Sequence, residues 1–249
     1  MGLRKIYRNF KRKYRRHCSV NWGKTIYFNF KKFPLSTAIK LPVMFYGPVK
    51  FTNITGKVII EGPIKKGMIG FGLQFERGTT HRGTAELDIE GTIVFKNRAH
   101  IGKDCFVFIH HNGYCEFGDM GCLGSNVKFI CTHRIVLGNW AGIGYESQVV
   151  DTTAHPMKDL TTGKYVPMAG AIEIGNYNTI SNRVSIMNNT KTPDSCVVAS
   201  NSMCNRDYTE YGSNILLGGI PAKLLKTNYV RDWESEKDML LRNKDIWRY

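Results

Sequence analysis

The chemistry in this chain is easiest to find where a repetitive sequence stops repeating. Residues 150 to 167 read Val-Asp-Thr-Thr-Ala-His-Pro-Met-Lys-Asp-Leu-Thr-Thr-Gly-Lys-Tyr-Val-Pro. Within them His155 is the one side chain of a type that moves protons near neutral pH, since unperturbed imidazole titrates near ~6.5. An imidazole within hydrogen-bond reach of a hydroxyl can take its proton while the oxygen attacks an electrophile. Asp151, four residues earlier, could orient that ring through its other nitrogen or could simply be solvated. The remaining histidines are placed differently: His17 lies in a basic segment, His81, His100 and His133 are isolated, and His110-His111 is a tandem that could line a cleft. The seven cysteines, at 18, 105, 115, 122, 131, 196 and 204, are odd in number and lack CxxC spacing, so they read as free thiols of a reducing compartment.

The sequence around this stretch explains what must hold it. Aliphatic residues are followed directly by glycine at 69-70, 101-102, 123-124, 137-138, 143-144 and 174-175. Ile89, Phe95 and Ile101 are six apart. So are Leu137, Ile143 and Val149, and so is the run Ile174, Ile180, Ile186, Thr192, Val198, Cys204. A period of six fits a solenoid of short strands with a turn after each, about three per coil. One aliphatic residue per turn points inward. The following glycine is expected to supply the turn's unusual backbone angles, and the small residues Ala141, Ser147, Thr190, Cys196 and Ser202 fit where walls meet. Residues 51 to about 220 leave room for about eight coils. The interruption, about 150–172, is an inserted loop, which a regular solenoid has no folding reason to eject.

Charge divides the chain. Its 249 residues carry a net charge of +15, yet residues 1–50 hold thirteen bases and no acid, Glu61 being the first. The remainder is close to neutral, which excludes a uniformly basic nucleic-acid module, and no nucleic-acid partner is expected. Leu3, Ile6, Tyr7, Phe10 and Tyr14 predict an amphipathic basic helix over residues 3–16. Such a helix suits anionic lipid through residues 1–20, or packing on the body or a partner. No apolar stretch is long enough to span a bilayer, and Ile6 stands where a myristoylation signal needs Ser or Thr. The expected location is cytoplasmic and peripheral to the inner membrane. Three parts follow: 1–50 as the basic segment, 51–226 as the solenoid, and 227–249 as a terminal helix that includes Trp233 and Trp247.

The six-residue repeats of 51–226 resemble those of the hexapeptide-repeat acyltransferases, in particular sugar O-acetyltransferases of the thiogalactoside and maltose type. The resemblance implies an all-β fold, a left-handed parallel β-helix with a protruding catalytic loop. It implies acetyl-CoA as co-substrate without a metal, a homotrimer, and a sugar or glycan acceptor of surface-polysaccharide biosynthesis. Ala154-His155-Pro156 is similar to the family's loop segment, in which the histidine is the general base. Gly218-Gly219-Ile220-Pro221-Ala222-Lys223 resembles the closing Gly-x-Pro-x-basic motif, which sets Lys223 at the 3′-phosphate of coenzyme A. The same alignment implies pantetheine contacts at Asn182 and Ser200, nucleotide contacts at Asn205 and Arg206, and an acceptor contact at Asn126. Ser181, Asn182 and Ser200 depart from the residues the family often has there, Gly, Ser and Ala. Three other readings remain: N-acetylation of an amino sugar, a hydratase with three histidines on zinc, and a non-catalytic scaffold.

Overall fold

The computed structural model describes residues 7, 10, 14, 17–73 and 83–242. From Val43 the chain winds as a parallel β-helix in which each strand pairs in parallel with its equivalents one coil away. The first wall holds Val43–Phe45, Ile69–Phe71, Ala99–Ile101, Gly121–Leu123, Gly142–Ile143, Thr179–Ile180, Val197–Val198 and Ile215–Gly218. The second holds Val49–Ile54, Ala85–Ile89, Phe106–Ile109, Lys128–Cys131, Gln148–Val150, Ser185–Met187 and Met203–Cys204. The third holds Lys57–Ile60, Thr92–Phe95, Tyr114–Phe117, Arg134–Leu137, Ile172–Ile174 and Lys191–Thr192.

Every position of the six-residue register named above is buried, from Ile89 through Val149 to Cys204, and the core runs unbroken along the axis. The corner residues Ala141, Ser147, Thr190, Cys196 and Ser202 are buried as well. Ser147 shows why a small polar residue serves there: its Oγ accepts from Val184 N at 3.0 Å and donates to Ser181 O at 3.3 Å, tying two coils together.

Two expectations need correction. The solenoid opens at Val43, ahead of residue 51. Its first coil was hidden because Val49–Ile54 is six residues long and its pairing shifts register between Phe51 and Asn53, so the period is lost there. The glycines, too, do a different job from the one expected. The left-handed backbone falls two places later, on Met120 (φ 63°) after Gly118 and on Trp140 (φ 58°) after Gly138. A Cβ on Gly118 would lie 2.5 Å from the carbonyl carbon of Gly138, and one on Gly138 would lie 2.7 Å from that of Gly175. Glycine is required by the backbone of the next coil, whereas an L residue tolerates αL at single positions.

A helix, α1 (Trp22–Lys32), closes the N-terminal end. Asn21 caps it, its side chain accepting from Lys24 N at 3.1 Å, and Lys31 and Lys32 complement the dipole in the last turn. Among the described residues Val43–Phe45 has a strand on one side only, and the polar groups on its other edge are met by this helix and its cap. Asn29 Nδ2 donates to Val43 O (2.7 Å) and Val43 N donates to Asn29 Oδ1 (3.2 Å). Phe45 N donates to Thr25 Oγ1 (3.1 Å), and Asn21 N donates to Phe45 O (2.8 Å). The helix thus stands in for a missing coil and protects a sheet edge, while Phe28 drops into the core against Phe45 and Phe51.

At the other end Ile215–Gly218 turns back on Lys223–Thr227 as an antiparallel hairpin, which ends the parallel series. Beyond it lies α2 (Trp233–Arg242). Trp233 anchors it: the indole N–H donates to Tyr177 O at 3.1 Å, and the ring meets Trp140 and Tyr177 edge-on. The helix expected over 3–16 lies outside the described residues apart from Tyr7, Phe10 and Tyr14, and Trp247 lies outside them too.

Candidate active site

The corner between the second and third walls carries most of the polar chemistry. Coil four crosses it with only Thr132 and His133, and coil three with the turn from His110 to Gly113. Coil five leaves it at Asp151 and returns at Gly170, where Gly170 N donates to Asp151 O at 3.0 Å. Between these the chain forms a projecting hairpin. Met157–Lys158 pairs antiparallel with Tyr165–Val166, and a bridge joins Thr152 to Ala169 at its base. His155 sits on the outgoing arm just above that base and is exposed. The arm bends there because Ala154 takes a left-handed conformation (φ 58°), and Thr153 Oγ1 donates to His155 O at 2.9 Å.

Asp151 does not orient the imidazole. It is fully buried, and its carboxylate accepts four hydrogen bonds, from Thr132 N (2.7 Å), Thr132 Oγ1 (2.9 Å), His133 N (2.8 Å) and Arg134 N (2.9 Å). Four donors occupy the lone-pair positions of a carboxylate. The residue therefore clamps the root of the loop to the corner of the preceding coil. A sequence in which the donors lie about twenty residues away gives no local sign of this.

The residues expected around a cofactor fall into two groups. Asn205, Arg206 and Lys223 come together with Tyr211, Pro221 and Ala222 in a pocket of about 520 Å³ at the C-terminal end of the same corner. Arg206 is fixed by aromatic neighbours: its Nη2 donates to the Tyr211 hydroxyl at 2.7 Å, and the guanidinium lies 5.3 Å from the ring of Tyr208 and 5.8 Å from that of Tyr211. Tyr208 and Tyr211 escaped sequence reasoning, although the close spacing of Arg206, Tyr208 and Tyr211 is a usable sign of a stacked guanidinium. Lys223 is exposed at the pocket's mouth.

The second group lies on a different edge. Asn126, Asn182 and Ser200 occupy the corner between the first and second walls, in coils four, six and seven. Ser200 Oγ donates to Asn182 Oδ1 at 2.6 Å, so these two form one polar patch across adjacent coils. Asn126 lines a cleft of about 190 Å³ with Lys128, Glu146, Gln148, Arg183 and Ser185. The face of the second wall separates this corner from the loop corner, and strands of three or four residues make it about 12 Å across.

No family model matches the chain, and no curated protein matches it. Among solved structures it is similar to the polySia-specific acetyltransferase NeuO, at 15% identity and TM-score 0.43 over 75% of this chain and 88% of that one. It is similar to the hexapeptide-repeat acetyltransferase VCA0836 of Vibrio cholerae O1 biovar eltor, complexed with acetyl-CoA, at 22% identity and TM-score 0.39 over 54% of this chain and 66% of that one. It is also similar to a galactoside acetyltransferase in complex with coenzyme A, at 13% identity and TM-score 0.36 over 91% and 84%.

The buried cysteines are poor nucleophiles. Burial pushes the thiols of Cys115, Cys122, Cys131, Cys196 and Cys204 up, to about 12 at Cys122, Cys196 and Cys204, so they stay protonated and inert near neutral pH. His100 is buried, with Nε2 2.8 Å from Leu73 O. Among the described residues no three His, Cys, Asp or Glu side chains gather as metal ligands; His81 lies outside those residues.

Proposed function

We propose that this protein is a left-handed hexapeptide-repeat acetyltransferase that moves an acetyl group from acetyl-CoA to a sugar hydroxyl, with His155 as general base. The observation that carries the reading is the hairpin ejected between Asp151 and Gly170. A solenoid that closes this corner in two to four residues elsewhere opens it in coil five, clamps the opening with Asp151 and presents one exposed imidazole. Two coils further along the same edge, about 10 Å at the spacing of paired strands, begins the basic pocket of Asn205, Arg206 and Lys223. Its charge suits the phosphates of coenzyme A, and Arg206 is held ready for a planar, bidentate contact.

The chemistry needs one base. The acceptor hydroxyl gives its proton to the imidazole as its oxygen attacks the thioester carbonyl, forming the new C–O bond. A backbone N–H nearby would stabilise the oxyanion. The tetrahedral intermediate then breaks its C–S bond, and the imidazolium returns the proton to the departing thiolate. The products are an acetyl ester and coenzyme A, and no cysteine takes part.

The two groups of site residues support assembly between copies. His155 projects from one edge of the second wall, whereas Asn126, Asn182 and Ser200 lie on the other. A neighbouring copy in a homotrimer would bring the first edge of one chain to the second edge of the next. Exposed Met157, Leu160, Tyr165 and Val166 on the hairpin suit such a contact. The same reading puts the enzyme in the cytoplasm, and seven cysteines without a disulfide suit a reducing compartment.

The test is to incubate the full chain with acetyl-CoA and a panel of sugars bearing free hydroxyls or free amines, following thiol release and the bond formed. Hydroxylamine-labile ester on hydroxyl acceptors is expected. Transfer confined to amines would replace the O-acetyl reading with an N-acetyl one.

A further inference from the structure

The N-terminal end of the solenoid carries a surface that neither catalysis nor the core uses. On α1 the inward face is Thr25, Phe28 and Asn29, all buried. The opposite face is apolar too: Ile26, Tyr27 and Phe30, at helical spacings of three and four, are about half exposed. The short helix that follows, Leu35–Ala38, adds Leu35, and its cap adds Ile39, which are 68% and 62% exposed. Tyr7, Phe10 and Tyr14 are exposed as well. An ordinary surface helix places polar residues on its outer face; here aromatic and aliphatic side chains stand outward on both helical segments.

The chain on either side of this face is basic. Lys31 on α1 and Lys40 just after Ile39 are exposed. No acid occurs before Glu61, and Glu61 is paired with Lys96 at 3.0 Å. Among the described residues no helix is long and apolar enough to cross a membrane. Outward apolar and aromatic side chains flanked by lysines match an anionic bilayer surface: rings and aliphatic groups enter the headgroup boundary while ammonium groups stay among the phosphates.

We propose that the α1 end of this protein, through Ile26, Tyr27, Phe30, Leu35 and Ile39, docks on an anionic membrane and stands the β-helix upright on it. The inference does not depend on the chemistry at His155. It does bear on the acceptor, because coil five lies four coils beyond the capped end, about 19 Å at the spacing of paired strands. The acceptor group presented to the loop corner must then reach at least that far from the bilayer, which selects an extended chain over a group at the headgroup level.

The experiment is co-sedimentation of the full chain with vesicles of phosphatidylcholine alone and of phosphatidylcholine with about a third phosphatidylglycerol, at low and high salt. Binding only to the anionic vesicles, weakened by salt, is expected. The triple variant Ile26→Ser, Phe30→Ser, Leu35→Ser should bind about tenfold more weakly or worse, and Lys31→Glu with Lys40→Glu should do the same. Leu225→Ser, an exposed change at the opposite end, should bind as the parent does. Circular dichroism checks that each variant is folded, and the charge variant leaves the apolar face intact should the triple variant fail to fold. Undiminished binding by both variants would overturn the proposal and leave residues 1–20 as the whole attachment. Failure of the parent to bind anionic vesicles, with the triple variant altering its mass in solution, would overturn it in favour of contact between copies.

Discussion

Both ends of this solenoid present basic side chains, and they are built in opposite ways. At the N-terminal end α1 replaces a coil, meeting the open strand with Thr25 and Asn29 while it turns Ile26, Tyr27 and Phe30 outward. That face is apolar and about half exposed. At the C-terminal end a hairpin folds back beside the last corner, and Arg206, stacked on Tyr208 and Tyr211, faces Lys223 across a pocket of about 520 Å³. Basic charge on a flat apolar face suits a surface of many phosphates. Basic charge in a walled pocket suits one ligand. The difference shows that net charge locates an interaction, while the structure around the charge decides what kind it is.

Three experiments bear on that comparison, in falling order of effect. Asn29→Leu removes the partner of both the N–H and the C=O of Val43 without changing the size of the side chain much. Leaving buried backbone groups unpaired costs on the order of 2–4 kcal/mol, read as a lower urea midpoint. A loss under about 0.5 kcal/mol would mean that the helix only covers the end and does not replace a coil. Next, Arg206→Ala with Lys223→Ala should weaken coenzyme A binding about tenfold or more, measured by calorimetry, because charge-assisted contacts to phosphate are lost. Vesicle binding should not change. If it fell as much as coenzyme A binding did, the two ends would share one general attraction for phosphate.

The smallest effect lies between the ends and serves as a control. Asp119 is partly buried, which on its own would raise its carboxyl. Hydrogen bonds from the side chain and backbone of Arg98 outweigh that and hold it below the usual carboxylate range. A depressed folded value means stability that is present above the unfolded value near ~3.9 and is lost as pH falls through the folded one. Asp119→Asn should therefore lower stability by about 1 kcal/mol at neutral pH and flatten the decline below about pH 4. It should leave both vesicle and coenzyme A binding intact.

Much of this arrangement was legible in the sequence, and what was not has identifiable causes. A six-residue period is a direct imprint of the fold, because one side chain per wall must point inward; Ile174 through Cys204 shows it without a break. The period lapses between Val149 and Ile174, and the hairpin leaves the corner at Asp151 and returns at Gly170. The glycines were visible but misread, since the requirement at Gly118 and Gly138 comes from the neighbouring coil and not from the residue's own φ. The clamp made by Asp151 is hidden for a related reason: its donors at 132–134 are distant in the chain and adjacent only after winding. Thr25 and Asn29 look like ordinary polar residues at helical spacing, and only the open edge of Val43–Phe45 gives them a purpose. Contacts made between coils are thus the part of this molecule that local sequence leaves unread.

The central claim is that the hairpin exists to present His155. The measurement that tests it most directly compares the parent with His155→Ala for acetyl transfer from acetyl-CoA and, in parallel, for coenzyme A affinity. Transfer should fall on the order of 10²–10⁴-fold while affinity stays within about twofold, because the proposed function gives the proton to the imidazole and the cofactor to the pocket at Arg206 and Lys223. Transfer by the variant within about twofold of the parent would contradict the account.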